Sequence, residues 1–179
     1  QETPGHGFML HACQLRPESR GSVSLASATP TDAPVIQANY LADSRDLEVM
    51  IRAFHIGRRL LNAPAFDRYR GDEFLPGPKV LGDQQIAEYI RSAAESIYHP
   101  VGTCKMGNGA DAVVDAELRV RGVGGLRVVD ASIMPTLVGG NTNAPTLMIA
   151  EKAADMILGL RPLPPADVYS LDPVEDSAL

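Results

Sequence analysis

Residues 125–159 read GLRVVDASIMPTLVGGNTNAPTLMIAEKAADMILG, and this stretch decides the fold of the chain. Its first part, GLRVVDAS, has the apolar pattern of a β-strand, and its last part is apolar at most positions of a long helical segment. Pro145 lies near the start expected for that helix and Gly159 lies just past its end, which is the usual asymmetry of helix termini. Few charged residues interrupt the apolar surface of the helix, so we expect it to be largely buried.

Further elements are predicted upstream of this stretch. The segment AVVDAELRVRG at residues 112–122 reads as a strand that joins the next one through a glycine turn at residues 122–125. Residues 8–27 indicate two strands about a turn, and residues 33–41 indicate a third extended run.

Two helices are predicted between these groups of strands. The first covers residues 43–64, has Asp43 or Ser44 as its cap, and places Leu47, Met50, Ile51, Phe54 and Leu61 on one face. The second covers residues 83–98, has Asp83 as its cap, and has a stripe formed by Ile86, Ile90, Ala93 and Ile97. Strands and helices without strict βαβ alternation indicate an α+β fold, a mainly antiparallel sheet covered by helices.

The composition excludes several classes of protein. The hydrophobic content of 45% and charged content of 21% are typical of a globular domain. The net charge of −6, without a basic cluster, disfavours nucleic acid as a partner. No apolar run is long enough for a transmembrane segment. Two cysteines, Cys13 and Cys104, are too few for a disulfide or zinc framework and suggest free thiols in a reducing compartment, so we expect a cytoplasmic protein.

The segment YHPVGTCKMG at residues 98–107 contains a candidate functional histidine. Because His99 precedes Pro100, its backbone is biased toward extended geometry, which predicts that the second helix ends here and that His99 lies on its exit loop. The histidine could be structural, could activate the thiol of Cys104, could be half of a metal site, or could be a catalytic base. A structural role is the commonest for such a histidine. No further metal-ligating residue is apparent nearby, so we predict no metal site.

A second candidate loop, VGGNTNAPT, spans residues 138–146. Gly139 and Gly140 lack side chains, so a ligand can approach their backbone closely. Asn141, Thr142 and Asn143 present amides and a hydroxyl ahead of a helix N-terminus, where free N–H groups favour negative charge. Ordinary N-capping by Asn143 is a simpler explanation, but it accounts for that residue alone.

In combination, these segments resemble the C-terminal part of the glucose-methanol-choline (GMC) family of FAD-dependent oxidoreductases, with the choline dehydrogenase and choline oxidase branch the nearest. QLRPESRGSVSLAS at residues 14–27 and NYL at residues 39–41 resemble the substrate domain of the same family. The likeness covers about residues 15–159. It implies a substrate-binding portion over residues 1–125 and a strand, loop and helix of the FAD-binding domain over residues 126–160. The composition of residues 161–179 indicates a Pro-rich tail.

The resemblance also implies roles for individual residues. His99 would be the base that accepts the proton of a primary alcohol, choline or another, while hydride passes to flavin N5. Asn141 would be the second active-site residue and would bind the substrate oxygen. Four residues would contact FAD: Asp130, Ala131 and, through their backbones, Thr142 and Asn143. Cys104 would be a structural part of its motif.

The chain departs from the family at the dinucleotide-binding fingerprint. The glycines of residues 122–125 lead into a strand and do not open a helix, so they are not that fingerprint. We therefore expect a C-terminal portion that is inactive alone, with FAD bound only in the full-length enzyme and the missing N-terminal FAD-binding domain as its partner. The surface left exposed would promote self-association. A non-catalytic binding or scaffold domain and a non-redox lyase of the same family remain as alternatives.

Overall fold

The computed structural model describes residues 5–162 and 164, and three α-helices form most of its regular structure. The helices are α1 (Ser44–Leu61), α2 (Asp83–Ala93) and α3 (Asn143–Leu158). Strands β1 (Ser22–Ser24) and β2 (Val35–Gln37) pair antiparallel, with Ser22 opposite Gln37. Two short 3-10 helices cover Pro64–Phe66 and Ala131–Ile133. None of the described helices is both long and apolar enough to cross a membrane.

The start of α1 is fastened by two aspartates. Asp43 is its N-cap, as predicted, and accepts a hydrogen bond from the backbone N–H of Arg45 at 2.9 Å. Asp46 is only 2% exposed, and its carboxylate accepts bonds from the hydroxyl and N–H of Ser19 at 2.6 and 2.8 Å. It also accepts a bond from the N–H of Glu18 at 2.9 Å. Asp46 therefore anchors the segment of residues 14–19 to the first turn of α1.

Helices α1 and α2 pack together around a small apolar core. Its buried members are Leu47 of α1 and Ile86, Ala87 and Ile90 of α2. The predicted stripes supply these contacts except that of Ala87, and Ala93, predicted for the α2 stripe, is exposed. Three further members of the α1 stripe pack against the cluster: Met50, Ile51 and Phe54. The spacing of apolar residues thus predicted both helices and the faces that they share.

A second core lies beneath α3. It contains Val114, Leu118, Ile133, Met134, Ile149 and Ala153. The prediction that α3 is largely buried is wrong for this chain, because Leu147 is 59%, Met148 56% and Leu158 70% exposed. Only one side of the helix meets the rest of the described chain. Gly159 follows the helix end, as predicted.

The predicted extended sheet is mostly absent from the described residues. β1 and β2 have three residues each, and residues 8–14 form no strand. Residues 112–128 form isolated bridges, such as Val114 with Val120 and Arg119 with Arg127, where we predicted two strands. The reason is a turn: Leu118 has a φ of 63°, and its N–H donates to the carbonyl of Asp115 at 3.0 Å.

The predicted boundaries of α2 need correction at both ends. Gly82 is its N-cap in place of Asp83, and the side chain of Gln85 accepts the N–H of Gly82 at 3.2 Å. The helix ends at Ala93, well before His99. Ala94, the next residue, has extended geometry, and the hydroxyl of Ser96 accepts the N–H of Tyr98 at 3.0 Å, a local bond that competes with helix. Ile97, predicted to belong to the buried stripe, is 47% exposed.

Candidate active site

The loop of residues 98–107 is fastened to the segment that leads into α3. The N–H of Cys104 donates to the carbonyl of Ser132 at 3.0 Å, and the N–H of Met106 donates to the carbonyl of Ile133 at 2.8 Å. Gly102 has a φ of 90°, a conformation that a side chain would strain. Backbone bonds therefore hold the loop of residues 98–107 to Ser132 and Ile133, in the segment that precedes the second candidate loop.

His99 and Thr142 meet across this junction. His99 is half-buried, and its Nδ1 lies 2.9 Å from Oγ1 of Thr142, which is 9% exposed. Thr142 is the N-cap of α3, and its hydroxyl makes no capping bond. The simpler explanation of Asn143 as the cap is therefore wrong: Asn143 is the first residue of the helix. No described residue hydrogen-bonds Nε2 of His99, which leaves that nitrogen for another group.

The N-terminus of α3 offers further donors. Asn141 and Asn143 are exposed, and within residues 5–162 their side-chain amides make no hydrogen bond. The first turn of α3 contains no acidic residue. Free backbone N–H groups, the positive end of the helix dipole and two amides can together bind a group that carries or gains negative charge.

The glycine pair ahead of α3 leaves one side of the loop open. The N–H of Gly140 donates to the carbonyl of Val138, which makes a three-residue turn centred on Gly139. A Cβ on Gly140 would meet nothing within 4 Å. Space for a ligand therefore remains beside Gly140, whereas the guanidinium of Arg16 occupies the space beside Gly139, so the expected close approach is wrong at that glycine.

The remaining residues that we expected near a cofactor lie at the 3-10 helix Ala131–Ile133. The carboxylate of Asp130 accepts the N–H of Ser132 at 2.7 Å and so caps this helix. Asp130 is exposed, and Ala131 packs against the core under α3. Both residues have local structural tasks, and neither contacts His99 through a hydrogen bond among the described residues.

The thiol alternative for His99 has no support in the geometry. Cys104 is a half-buried free cysteine, and no hydrogen bond joins it to His99 in the described part of the chain. In the same part, no three His, Cys, Asp or Glu side chains lie close enough together to hold a metal ion.

Sequence reasoning missed the side-chain contact of Thr142. The family resemblance implies a role for its backbone, and the structure adds a contact of its hydroxyl with His99. The signal that could have found this contact is weak, because the two residues are 43 positions apart and neither loop has a regular pattern.

Comparisons with known proteins agree on one family. The profile described as GMC oxidoreductase matches residues 17–150. An alcohol dehydrogenase [acceptor] of Pseudomonas putida is 54% identical over 86% of the chain and 28% of its own length. An oxygen-dependent choline dehydrogenase of Chromohalobacter salexigens is 50% identical over 91% of the chain and 29% of its own length.

A solved structure extends the likeness to the fold. An FAD-dependent oxidoreductase from Chaetomium thermophilum superposes with a TM-score of 0.75 and 33% identity, over 81% of this chain and 25% of that one. The chain therefore spans roughly a quarter to a third of the length of these relatives, 28% and 29% for the two curated enzymes.

Proposed function

Since the chain belongs to the GMC oxidoreductase family, we propose that it supplies the substrate side of an FAD-dependent enzyme that oxidises an alcohol. The observation that carries the proposal is the contact of His99 Nδ1 with Thr142 Oγ1 at 2.9 Å, which orients a half-buried histidine beside the N-terminus of α3. A histidine held by one nitrogen presents the other to a substrate, as a general base requires.

His99 would accept the proton of the alcohol hydroxyl at Nε2. For this role Nδ1–H donates to Oγ1 of Thr142, which selects the tautomer with a free lone pair on Nε2. Thr142 is nearly buried and is fixed at the helix start, so the imidazole ring has little freedom to turn. The base is then positioned before the substrate arrives.

Asn141 would bind the oxygen of the substrate. It directly precedes Thr142, and its exposed amide makes no hydrogen bond among the described residues. An amide N–H that donates to the substrate oxygen stabilises the negative charge that grows there as His99 removes the proton. Asn141 and His99 would thus act on the same atom.

The N-terminus of α3 fits one edge of a flavin. Its backbone N–H groups, the exposed Asn143 and the open side of Gly140 form a site for a flat group with electron-rich oxygens and nitrogens. Bound FAD would supply the acceptor for the hydride of the alcohol carbon. We propose Thr142 and Asn143 as the main contacts in this chain, with Asp130 and Ala131 as less direct ones because both have local structural tasks.

The rest of the cofactor would be held by the part of the relatives that this chain does not cover. No described segment forms the glycine-rich turn between a strand and a helix that binds a dinucleotide. The glycines that end at Gly125 are followed only by the isolated bridge at Arg127. The apolar side chains that α3 exposes are a suitable contact for such a region. We propose that the chain acts as part of a longer polypeptide.

The test uses the full-length polypeptide with its flavin. Flavin absorbance is followed without oxygen during titration with primary alcohols, choline included. We expect one alcohol to bleach the flavin, and His99→Gln to slow bleaching by about 10²- to 10⁴-fold with flavin still bound. The matched control is His55→Gln, because His55 pairs with Asp83 on the surface between α1 and α2 and should not alter the rate.

Two other results would overturn the proposal. If flavin binds and no alcohol of a broad panel reduces it, a non-redox lyase becomes the better assignment. If the full-length polypeptide binds no flavin, a binding or scaffold domain does.

A further inference from the structure

The segment of residues 14–19 lies against the loop that precedes α3. The guanidinium of Arg16 covers the backbone of Gly139 so closely that a Cβ there would be 2.7 Å from Nη2 and 3.1 Å from Cζ. Arg16 also lines a cleft of about 220 Å³ together with Thr136 and Leu137. The Arg16 side chain thus contacts the start of the loop that contains Asn141.

Hydrogen bonds to Asp46 of α1 fasten the segment that contains Arg16. Asp46, 2% exposed, binds the hydroxyl of Ser19 at 2.6 Å and the N–H of Glu18 at 2.9 Å, so the backbone that follows Arg16 is tied to α1. The side chain of Gln14 also donates to Asp46 at 3.3 Å. Arg16 therefore projects from a segment anchored on both sides.

Gly139 is the centre of a tight turn, closed by the bond from the N–H of Gly140 to the carbonyl of Val138. A planar guanidinium can lie flat on an exposed peptide that lacks a side chain. Within residues 5–162 the guanidinium of Arg16 makes no hydrogen bond or ion pair. Among these residues, the guanidinium therefore contacts the Gly139 turn without neutralising a carboxylate.

This turn lies immediately ahead of the candidate active site. Asn141 lies two residues after Gly139, and Thr142, which follows, contacts His99 at 2.9 Å. We propose that Arg16 is a positioning residue that holds the Gly139 turn in place and thereby fixes Asn141 and the partner of His99. This inference rests on the proposed alcohol oxidation for its effect on rate, but not for its effect on the loop.

The experiment compares four variants of the flavin-loaded, full-length polypeptide: Arg16→Ala, Arg16→Lys, Gly139→Ala and the double variant Arg16→Ala/Gly139→Ala. Hydrogen exchange of the peptide that covers residues 138–143 reports on the loop. The rate and KM of flavin reduction report on the site.

We expect Arg16→Ala to speed exchange at residues 138–143 by about 10-fold and to lower the rate of reduction by about 10-fold, with KM for the alcohol nearly unchanged. Arg16→Lys should restore only part of the protection from exchange and part of the rate of reduction, because an ammonium is not planar. Gly139→Ala should act like Arg16→Ala, because the methyl group displaces the guanidinium. The double variant should exchange no faster and reduce flavin no more slowly than Arg16→Ala, since the methyl group at residue 139 then has no guanidinium to displace.

Two matched controls are available. Arg59→Ala removes an exposed arginine at the end of α1 that makes no hydrogen bond among the described residues, and Gly124→Ala adds a methyl group where nothing lies within 4 Å. Neither should change exchange or rate.

The inference is wrong if Arg16→Ala leaves exchange at residues 138–143 at the wild-type level, or if the effects of Arg16→Ala and Gly139→Ala add in full. Should Arg16→Ala fail to fold, Arg16→Lys and Gly139→Ala decide the matter by the same two readouts. If no alcohol reduces the wild-type flavin, the proposed function fails, whereas the exchange measurements still test the role of Arg16.

Discussion

Nδ1 of His99 lies 2.9 Å from Oγ1 of Thr142, and this contact joins a loop to a helix terminus 43 residues further along the chain. The threonine hydroxyl makes no capping bond in its own helix, so it is available to the imidazole. The loop of residues 98–107 and the N-terminus of α3 therefore form one site.

The first prediction concerns the hydroxyl of Thr142. In the full-length flavoprotein, Thr142→Val keeps the shape of the side chain but removes the partner of His99 Nδ1, so the ring can turn and exchange tautomers. We expect the rate of flavin reduction by the alcohol to fall by about 10- to 100-fold, whereas Thr142→Ser keeps most of it. Stopped-flow absorbance measures both rates.

The control for this change is Thr146→Val, one turn further along α3. Its hydroxyl donates to the carbonyl of Thr142 at 2.6 Å within the same helix and does not contact His99. An equal loss of rate in Thr146→Val and Thr142→Val would mean that helix stability, and not the orientation of His99, explains the result.

The second prediction concerns the buried carboxylate of Asp46. Burial raises the pKa of Asp46, but bonds from the Ser19 hydroxyl and from the N–H groups of Glu18 and Ser19 lower it by more, so its pKa lies below the usual value. The ionised form is therefore favoured by folding. Its contribution is present above the unfolded pKa of about 4 and is lost as the pH falls through the lower folded pKa.

Asp46→Asn should lower the free energy of unfolding by about 1.5–3 kcal/mol at neutral pH, because an NH₂ group then faces donors that need an acceptor. Urea unfolding at neutral pH and at pH values below the folded pKa measures the difference, which should shrink at the acid end because the wild-type carboxyl is protonated there. Asp72→Asn, on an exposed aspartate without a hydrogen bond among the described residues, is the control. A difference that is constant with pH would argue against the carboxylate as its source.

The helices and the two candidate loops could be predicted from the sequence, since both depend on local patterns. The apolar spacing of Leu47 and Ile86 predicts two helices and their contact, and the glycine pair followed by Asn141 predicts a loop before a helix. The strands expected over residues 112–128 could not be predicted correctly, because the left-handed backbone of Leu118 interrupts an otherwise strand-like pattern. Contacts between distant loops, such as that of Arg16 with Gly139, leave no trace in local spacing.

The third prediction compares two isoleucines of α3. Ile149 is 9% exposed and belongs to the core beneath the helix, whereas Ile157 is 56% exposed. Ile149→Ala should lower the free energy of unfolding of this chain by about 2–5 kcal/mol, because it leaves a cavity among packed side chains. Ile157→Ala should change it by less than about 0.5 kcal/mol, and equal losses in urea unfolding would contradict the described placement of the helix.

The fourth prediction concerns the exposed apolar side chains of α3. Leu147 is 59% and Leu158 70% exposed, and they lie on the side of the helix that does not meet the core. We expect the 179-residue chain to self-associate through this side as its concentration rises. Sedimentation velocity should show association weakened by at least about 10-fold in Leu147→Gln/Leu158→Gln, since a buried leucine contributes about 1.5–3 kcal/mol.

The matched control for this pair is Leu25→Gln/Leu81→Gln, which changes two leucines that are 87% and 70% exposed and lie outside α3. If the control weakens association as much as Leu147→Gln/Leu158→Gln does, the exposed leucines associate non-specifically. Association that only the α3 pair weakens would identify this side of the helix as a contact surface. In the full-length polypeptide, Leu147→Gln/Leu158→Gln should then weaken flavin retention, because it alters the surface that we propose contacts the rest of that polypeptide.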